Sequence, residues 1–158
     1  MPECILCVGK CREKYWKDAC AEYEKRLSRL TRLEIIEVDD LPERENASNA
    51  DRERIKSREG EALLARVKPA DRVIALCIDA PEMGSEQLAN LLKEGDDRGL
   101  RTVFVIGGSL GLSDAVLKRA DRRLSMSPMT FPHQLARVML LEQLYRGRKI
   151  LAGEKYHK

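Results

Sequence analysis

Apolar and polar positions along the chain switch repeatedly between two periods. Ile5 to Val8 form a short unbroken apolar run, read as a strand. Trp16, Ala19, Cys20, Tyr23, Leu27 and Leu30 then recur at helical spacing and predict an amphipathic helix. Leu33 to Val38 is rich in β-branched residues and predicts a second strand. Asp39 to Asn49 is polar, holds Pro42, and reads as a loop; a charged helix follows with Ile55, Ala62, Leu63 and Val67 as its sparse apolar side. Val73 to Ile78 is again continuously apolar, as a strand covered on both faces should be. Ser85 is placed to cap a helix through Leu88, Leu91 and Leu92. Thr102 to Ile106 is a further buried strand that runs straight into Gly107 and Gly108, and Ser113 is placed to cap a short helix through Leu117. Beyond the segment from Leu124 to Pro132, a last helix carries Leu135, Val138, Met139, Glu142 and Tyr145.

Alternating strands and helices imply an α/β domain with a mostly parallel sheet and helices on both sides. The 158 residues fit one such domain, 1–158, with no internal repeat or linker. In parallel sheets ligands bind beyond the carboxyl ends of the strands. Two unusual segments lie there, Gly107–Gly111 and Ser127–Pro132, and they mark a candidate site.

A hydrophobic content of 43% supports a real core. No apolar run approaches the ~20 residues of a membrane span, and the first ten residues lack the pattern of a secretory signal. A cytoplasmic location without membrane association is the expectation. Cys4, Cys7, Cys11 and Cys20 crowd the start and Cys77 stands alone. An odd count suits reduced thiols. On a strand from Glu3 to Val8, side chains three apart point to opposite faces, so Cys4 and Cys7 are not expected to share an ion, and no metal is assigned. The net charge of +3 is unevenly spread: Arg146 to Lys158 holds five basic residues and one acid, leaving the rest of the chain at −1. That fits contact with a polyanion, or simply a solvated terminus.

The glycine loop, Ile106-Gly107-Gly108-Ser109-Leu110-Gly111-Leu112, lacks the second glycine of a dinucleotide fingerprint and the Gly-Lys-Ser/Thr of a P-loop. It fits a ligand cradle or a plain tight turn. In Ser125-Met126-Ser127-Pro128-Met129-Thr130-Phe131-Pro132-His133-Gln134, two prolines bracket apolar residues. Pro132 suits a helix start. The segment could hold a purine by shape and main-chain hydrogen bonds, or be a stiff strand-to-helix connection. On the last helix His133 and Arg137 lie close together, and Glu142 and Arg146 have the favourable order of a helical ion pair. His133 fits either a helix-start hydrogen-bonding group or a base. No hydrolytic triad, carboxylate pair or His-Glu-x-x-His motif is present.

Taken in order, Val8-Gly9-Lys10, Tyr23, Glu59-Gly60-Glu61, Ile106-Gly107-Gly108-x-x-Gly111-Leu112-Ser113, Leu124-Ser125-x-Ser127-x-x-Thr130-x-Pro132-His133, Leu144-Tyr145-Arg146 and Tyr156-His157-Lys158 resemble the RlmH (YbeA) family over nearly the whole chain. That family comprises SPOUT-class methyltransferases. The resemblance implies an α/β fold with a C-terminal trefoil knot holding S-adenosylmethionine (SAM), a homodimer, and methylation of N3 of a pseudouridine in helix 69 of 23S rRNA on the assembled 70S ribosome. It implies cofactor contacts for Leu76, Gly107, Gly108, Ser127, Pro128, Met129, Thr130, Phe131 and Pro132. Arg146, Tyr156, His157 and Lys158 would reach the RNA, with the short tail completing the partner's pocket. His157, then His133, are the candidate proton acceptors, and Arg146 could stabilise developing charge. The chain departs from many relatives at Ser109-Leu110, where Pro-Glu is frequent, at Gly147, where Ala is, and at Lys155, where Pro precedes Tyr-His. A SPOUT enzyme acting on tRNA and a noncatalytic ribosome-assembly factor are the alternatives.

Overall fold

In the computed structural model, which describes residues 2–158, five strands and five helices alternate strictly. They are β1 (Glu3–Val8), α1 (Lys14–Leu27), β2 (Leu33–Val38), α2 (Asn49–Leu64), β3 (Arg72–Leu76), α3 (Ser85–Asp97), β4 (Thr102–Ile106), α4 (Asp114–Arg119), β5 (Arg122–Leu124) and α5 (His133–Leu151). The sheet order is β2-β1-β4-β3-β5, and every pairing is parallel.

Pleating sorts the apolar runs onto two faces. Cys4, Leu6 and Val8 pack with Leu63, Val73, Val103, Val105 and Val116 beneath α2 and α4. Ile5 and Cys7 pack with Ile74, Phe104, Leu91, Leu140, Leu141 and Leu144 beneath α1, α3 and α5. Cys4 and Cys7 therefore lie in separate cores, as strand periodicity required. Burial pushes the Cys7 thiol up to about 12 and the Cys4 thiol to about 11. Both are protonated packing groups at neutral pH.

Two helix starts differ from expectation. Ser85 is not the cap of α3. Gly84 occupies that position, its N–H donating to Gln87 Oε1 at 2.7 Å, while Ser85 Oγ donates to Gln143 Oε1 at 2.6 Å and ties α3 to α5. The polar stretch before α2 ends in a capping box, in which Ser48 Oγ accepts from Asp51 N–H and Asp51 Oδ2 accepts from Ser48 N–H, each at 3.1 Å. Asp stands where Glu or Gln is usual, so the signal is easily missed. Ser113 does cap α4, and Pro132 does precede α5. The third strand ends at Leu76, short of Ile78, and Cys77 N–H donating to Leu124 O at 2.9 Å is the last bond of its parallel ladder with β5.

Gly147 lies where α5 crosses α3. A methyl group there would meet Leu92 Cδ1 at 3.0 Å with Ala89 Cα at 3.6 Å, so an alanine would require the Leu92 tip to shift by a few tenths of an ångström. Beside it, α5 is fixed to the amino edge of the sheet by buried charge. Arg148 Nε donates to Glu3 Oε1 at 2.7 Å, its Nη1 to Asp96 Oδ2 at 2.5 Å, and Thr31 Oγ1 donates to Glu3 Oε2 at 2.5 Å. Glu3 is 1% exposed, so its charge relies on these partners. Arg148→Ala is expected to lower unfolding free energy by about 3–5 kcal/mol, because it leaves a buried carboxylate without its cation. Urea unfolding measures this, and a loss below about 1 kcal/mol would contradict the assigned role.

Candidate functional site

The carboxyl ends of β3, β4 and β5 open onto one cavity of about 640 Å³, within the ~300–1,000 Å³ typical of ligand clefts. Leu76, Cys77 and Ile78 form one wall, and Ile106 to Ser109 with Gly111, Leu112 and Leu117 form the second. Met126, Ser127, Met129, Thr130, Phe131 and Pro132 form the third, which passes into His133, Gln134 and Ala136. Of the expected cofactor residues, Leu76, Gly107, Gly108, Ser127, Met129, Thr130, Phe131 and Pro132 thus line one space; Pro128 does not. Ile78 is 50% and Met129 71% exposed, so the cavity mouth is apolar.

Local chemistry shapes each wall. In the glycine loop Gly111 has φ of 86° and donates to Gly108 O at 3.1 Å. A Cβ on Gly107 would stand 2.9 Å from the Gly111 carbonyl carbon, so this tight return requires glycine there. The third wall is braced from within: Ser125 Oγ donates to Ser127 O at 3.0 Å, and Ser127 Oγ accepts from Met129 N–H at 3.0 Å. Ser125 N–H also donates to Pro81 O at 2.9 Å, anchoring this segment to the loop after β3.

Among the described residues the lining contains no aspartate, glutamate, lysine or arginine. Burial raises the Cys77 thiol, which makes it a poor nucleophile. The cavity therefore offers shape, main-chain polar groups, Ser, Thr, Gln and one imidazole. Such walls suit a flat heterocycle with polar edges, and chemistry there relies on a reactive group brought by the ligand.

The imidazole is His133, half-buried at the first position of α5. Burial, then the nearby Arg137 cation, hold its pKa below the ordinary value, so it is neutral at pH 7. Arg137 is buried one turn on. Its Nη1 donates to Glu37 Oε2 at 2.7 Å and its Nη2 to Gly9 O at 3.0 Å, fixing the turn after β1. Gly9 has φ of 88°, and a Cβ on it would reach His133 Cε1 at 3.2 Å. Sequence spacing placed His133 beside Arg137 but gave no sign that Gly9, just past β1, and Glu37, on β2, would meet them. Glu59 also supports the site: it is buried, accepts Leu41 N–H at 3.1 Å, and its Oε1 would be 3.2 Å from a Cβ on Gly108. Cys77, Ile78, Leu112, Leu117, Met126, Gln134 and Ala136 line the cavity without having been assigned to it; Leu112, Met126 and Gln134 lay within the two quoted segments and Ile78 at the end of an apolar run, while Cys77, Leu117 and Ala136 carried no site signal.

The tail residues lie elsewhere on the same chain. Arg146, Tyr156, His157 and Lys158 do not line the cavity. Arg146 Nη2 donates to Glu142 Oε1 at 2.5 Å, as the spacing predicted, and its guanidinium lies 4.7 Å from the Tyr156 ring centre. Tyr156 Oη donates to Glu142 Oε1 at 3.2 Å, while His157 Nδ1 is 3.3 Å from Arg146 Nη1. The +4 of the tail is also less available than its composition suggests. Arg148 is buried on Glu3 and Asp96, Arg146 is paired with Glu142, and Lys149 is paired with Glu154.

The lowered His133 pKa has a stability consequence. Between the ordinary value of 6.5 and the lower folded value, the unfolded chain binds a proton that the folded chain does not. Stability therefore falls as pH drops below 6.5. His133→Gln should remove that part of the decline, measured as the difference in urea midpoints between pH 7.5 and 5.5; an unchanged difference would show that His133 does not titrate this way.

Comparison with known proteins agrees with this arrangement. A family model described as predicted SPOUT methyltransferase matches residues 1–157. Among solved structures, one assigned to the methylase family from Haemophilus influenzae Rd KW20 superposes with a TM-score of 0.56 at 11% identity, covering 99% of this chain and 70% of that one. A methylase family protein from Neisseria gonorrhoeae gives 0.52 at 13% identity, with 99% and 95% covered. TrmJ from Z. mobilis ZM4 gives 0.50 at 18%, with 93% and 70% covered. At these identities the structures speak for the fold, and the family match speaks for the kind of enzyme: the chain belongs to the SPOUT methyltransferase family.

Proposed function

We propose that this protein transfers a methyl group from SAM to N3 of a pseudouridine in helix 69 of 23S rRNA on the assembled 70S ribosome, acting as a homodimer. The observation that carries the methyltransferase part is the convergence of three strand-end segments on one uncharged cavity. The rRNA part rests on the resemblance to the RlmH (YbeA) family, whose ordered motifs run from Val8-Gly9-Lys10 to Tyr156-His157-Lys158.

The residues present fit SAM. Apolar side chains from all three walls suit the faces of an adenine ring, and main-chain groups of 107–108 and 127–131 suit its polar edges. When bound, SAM supplies an electrophilic methyl group on a sulfonium. The protein's work is to hold that group and the target base in line, which can lower a barrier by ~7–11 kcal/mol, and to keep water out. N3 of pseudouridine carries a proton that must leave. In the proposed dimer His157 of the tail accepts it, with Arg146 stabilising the developing negative charge. His133, already neutral beside the cavity, is the second candidate.

The dimer rests on the family resemblance, in which the tail takes part in the reaction. The tail residues of one chain do not line its own cavity, which supports a reading in which a second copy supplies them. A second hollow of about 380 Å³, with Tyr23, Met83, Leu88, Val138 and Met139 among its lining residues, gives the face of α1, α3 and α5 an apolar recess suited to a partner. The trefoil knot expected of the family would run through the segment anchored at Pro81 and bordering the glycine loop.

The test is transfer of labelled methyl from SAM to 70S ribosomes, free 50S subunits and bulk tRNA, followed by mapping of the modified base. Incorporation at a helix 69 pseudouridine, strongest on 70S, is expected. Incorporation into tRNA would overturn the substrate, SAM binding with no transfer to any RNA would overturn the RNA reading, and no detectable SAM binding by calorimetry would favour an assembly factor. Gly107→Ala should weaken SAM binding at least tenfold by calorimetry, because its methyl collides with the Gly111 backbone. His157→Ala should leave SAM affinity intact and lower the transfer rate about a hundredfold; transfer at the wild-type rate would remove His157 from the chemistry.

A further inference from the structure

A smaller polar recess of about 200 Å³ adjoins the cavity. It is lined by Lys10, Arg12, Glu13, Asp40, His133 and Gln134, and the last two also line the larger space. The recess lies across a wall shared with the site where the methyl group is to be transferred. We infer that it receives the sugar and phosphate of a nucleotide flanking the methylated base. The inference rests on the RNA methyltransferase reading and adds where the substrate strand runs.

Size and charge select this occupant. A volume of about 200 Å³ is below the ~300–1,000 Å³ of sites that enclose whole small ligands, so it takes part of a larger molecule. Lys10 and Arg12 are exposed, and neither makes an ion pair with another described residue. Their charges are available to a phosphate. Glu13 and Asp40 would repel a bare anion, but they accept hydrogen bonds, and a ribose 2′-hydroxyl beside the phosphate supplies a donor. Only a ligand carrying both an anion and donors satisfies both pairs.

The recess is also held in place. Lys10 follows Gly9, whose carbonyl is gripped by the buried Arg137, and Gly9 N–H donates to Val38 O at 2.8 Å. Asp40 is two residues beyond Val38, so both sides of the recess descend from the paired ends of β1 and β2.

The test is a double variant, Lys10→Gln with Arg12→Gln, assayed for methyl transfer to 70S ribosomes over a range of KCl at fixed Mg²⁺. Both side chains are exposed, so folding is not at risk. The KM for ribosomes should rise on the order of tenfold, as expected for lost charge-assisted hydrogen bonds. The slope of log affinity against log salt should become shallower by about 1, while SAM affinity by calorimetry stays the same. If the wild type methylates tRNA instead, the same measurement is made on tRNA. A double variant with wild-type KM and salt slope would overturn this inference alone. Altered sedimentation of the double variant would overturn it in favour of a subunit contact. Wild-type protein that binds SAM but methylates no RNA would overturn the functional reading, and this inference with it.

Discussion

All five strands run in one direction, so every strand-to-helix connection leaves from the same edge of the sheet. This constraint governs the rest of the molecule. Parallel strands need helical crossovers, the crossovers cover both faces, and the covered strands become the continuous apolar runs of the sequence. The loops that remain at the carboxyl edge have no ladder to join. The glycine loop and the Ser125–Pro132 segment are instead braced largely by short bonds within themselves, and with the stretch after β3 they enclose a cavity between them.

The last helix secures this geometry with two buried arginines. Arg148 grips Glu3 at the start of β1, and Arg137 grips Gly9 just past its end. Eleven residues of helix span about 16 Å, and the six steps of strand from Glu3 to Gly9 span about 20 Å. The two anchors therefore hold α5 antiparallel to β1 along the strand's full length. That position puts His133 at the carboxyl edge, between the large cavity and the polar recess. It sends the tail back toward Glu142 on the same helix, away from its own chain's cavity.

Periodicity made four of the five strands legible because burial on two faces leaves a strong apolar signal at Val73 to Ala75 and at Val103 to Ile106, but β5 was missed, since its three residues are two exposed arginines and one buried leucine. It read the strand of Cys4 and Cys7 correctly for the same reason. Local polar chemistry was less legible. Ser85 looks like a cap, yet α3 starts one residue earlier and the hydroxyl serves a cross-helix bond, which depends on where α5 lies. The cavity walls were found from glycines and prolines, which mark backbone constraints that any sequence displays. The supporting residues Glu37 and Asp40 looked like ordinary surface acids, and Glu59 stood out only within the Glu59-Gly60-Glu61 motif, since their roles arise from contacts distant along the chain. The charge of the tail was overestimated, because composition counts Arg148 as a surface cation and packing buries it.

The central claim is that the three strand-end segments together form the cofactor site. The most direct measurement is backbone hydrogen exchange with and without S-adenosylhomocysteine, which shares the adenosine and amino-acid portions of SAM and cannot turn over. The account predicts slowed exchange in 76–78, 107–112 and 126–134 together, with 23–27 and 83–92 unchanged. Protection centred on the hollow beside Tyr23 and Leu88, with the glycine loop unaffected, would contradict it.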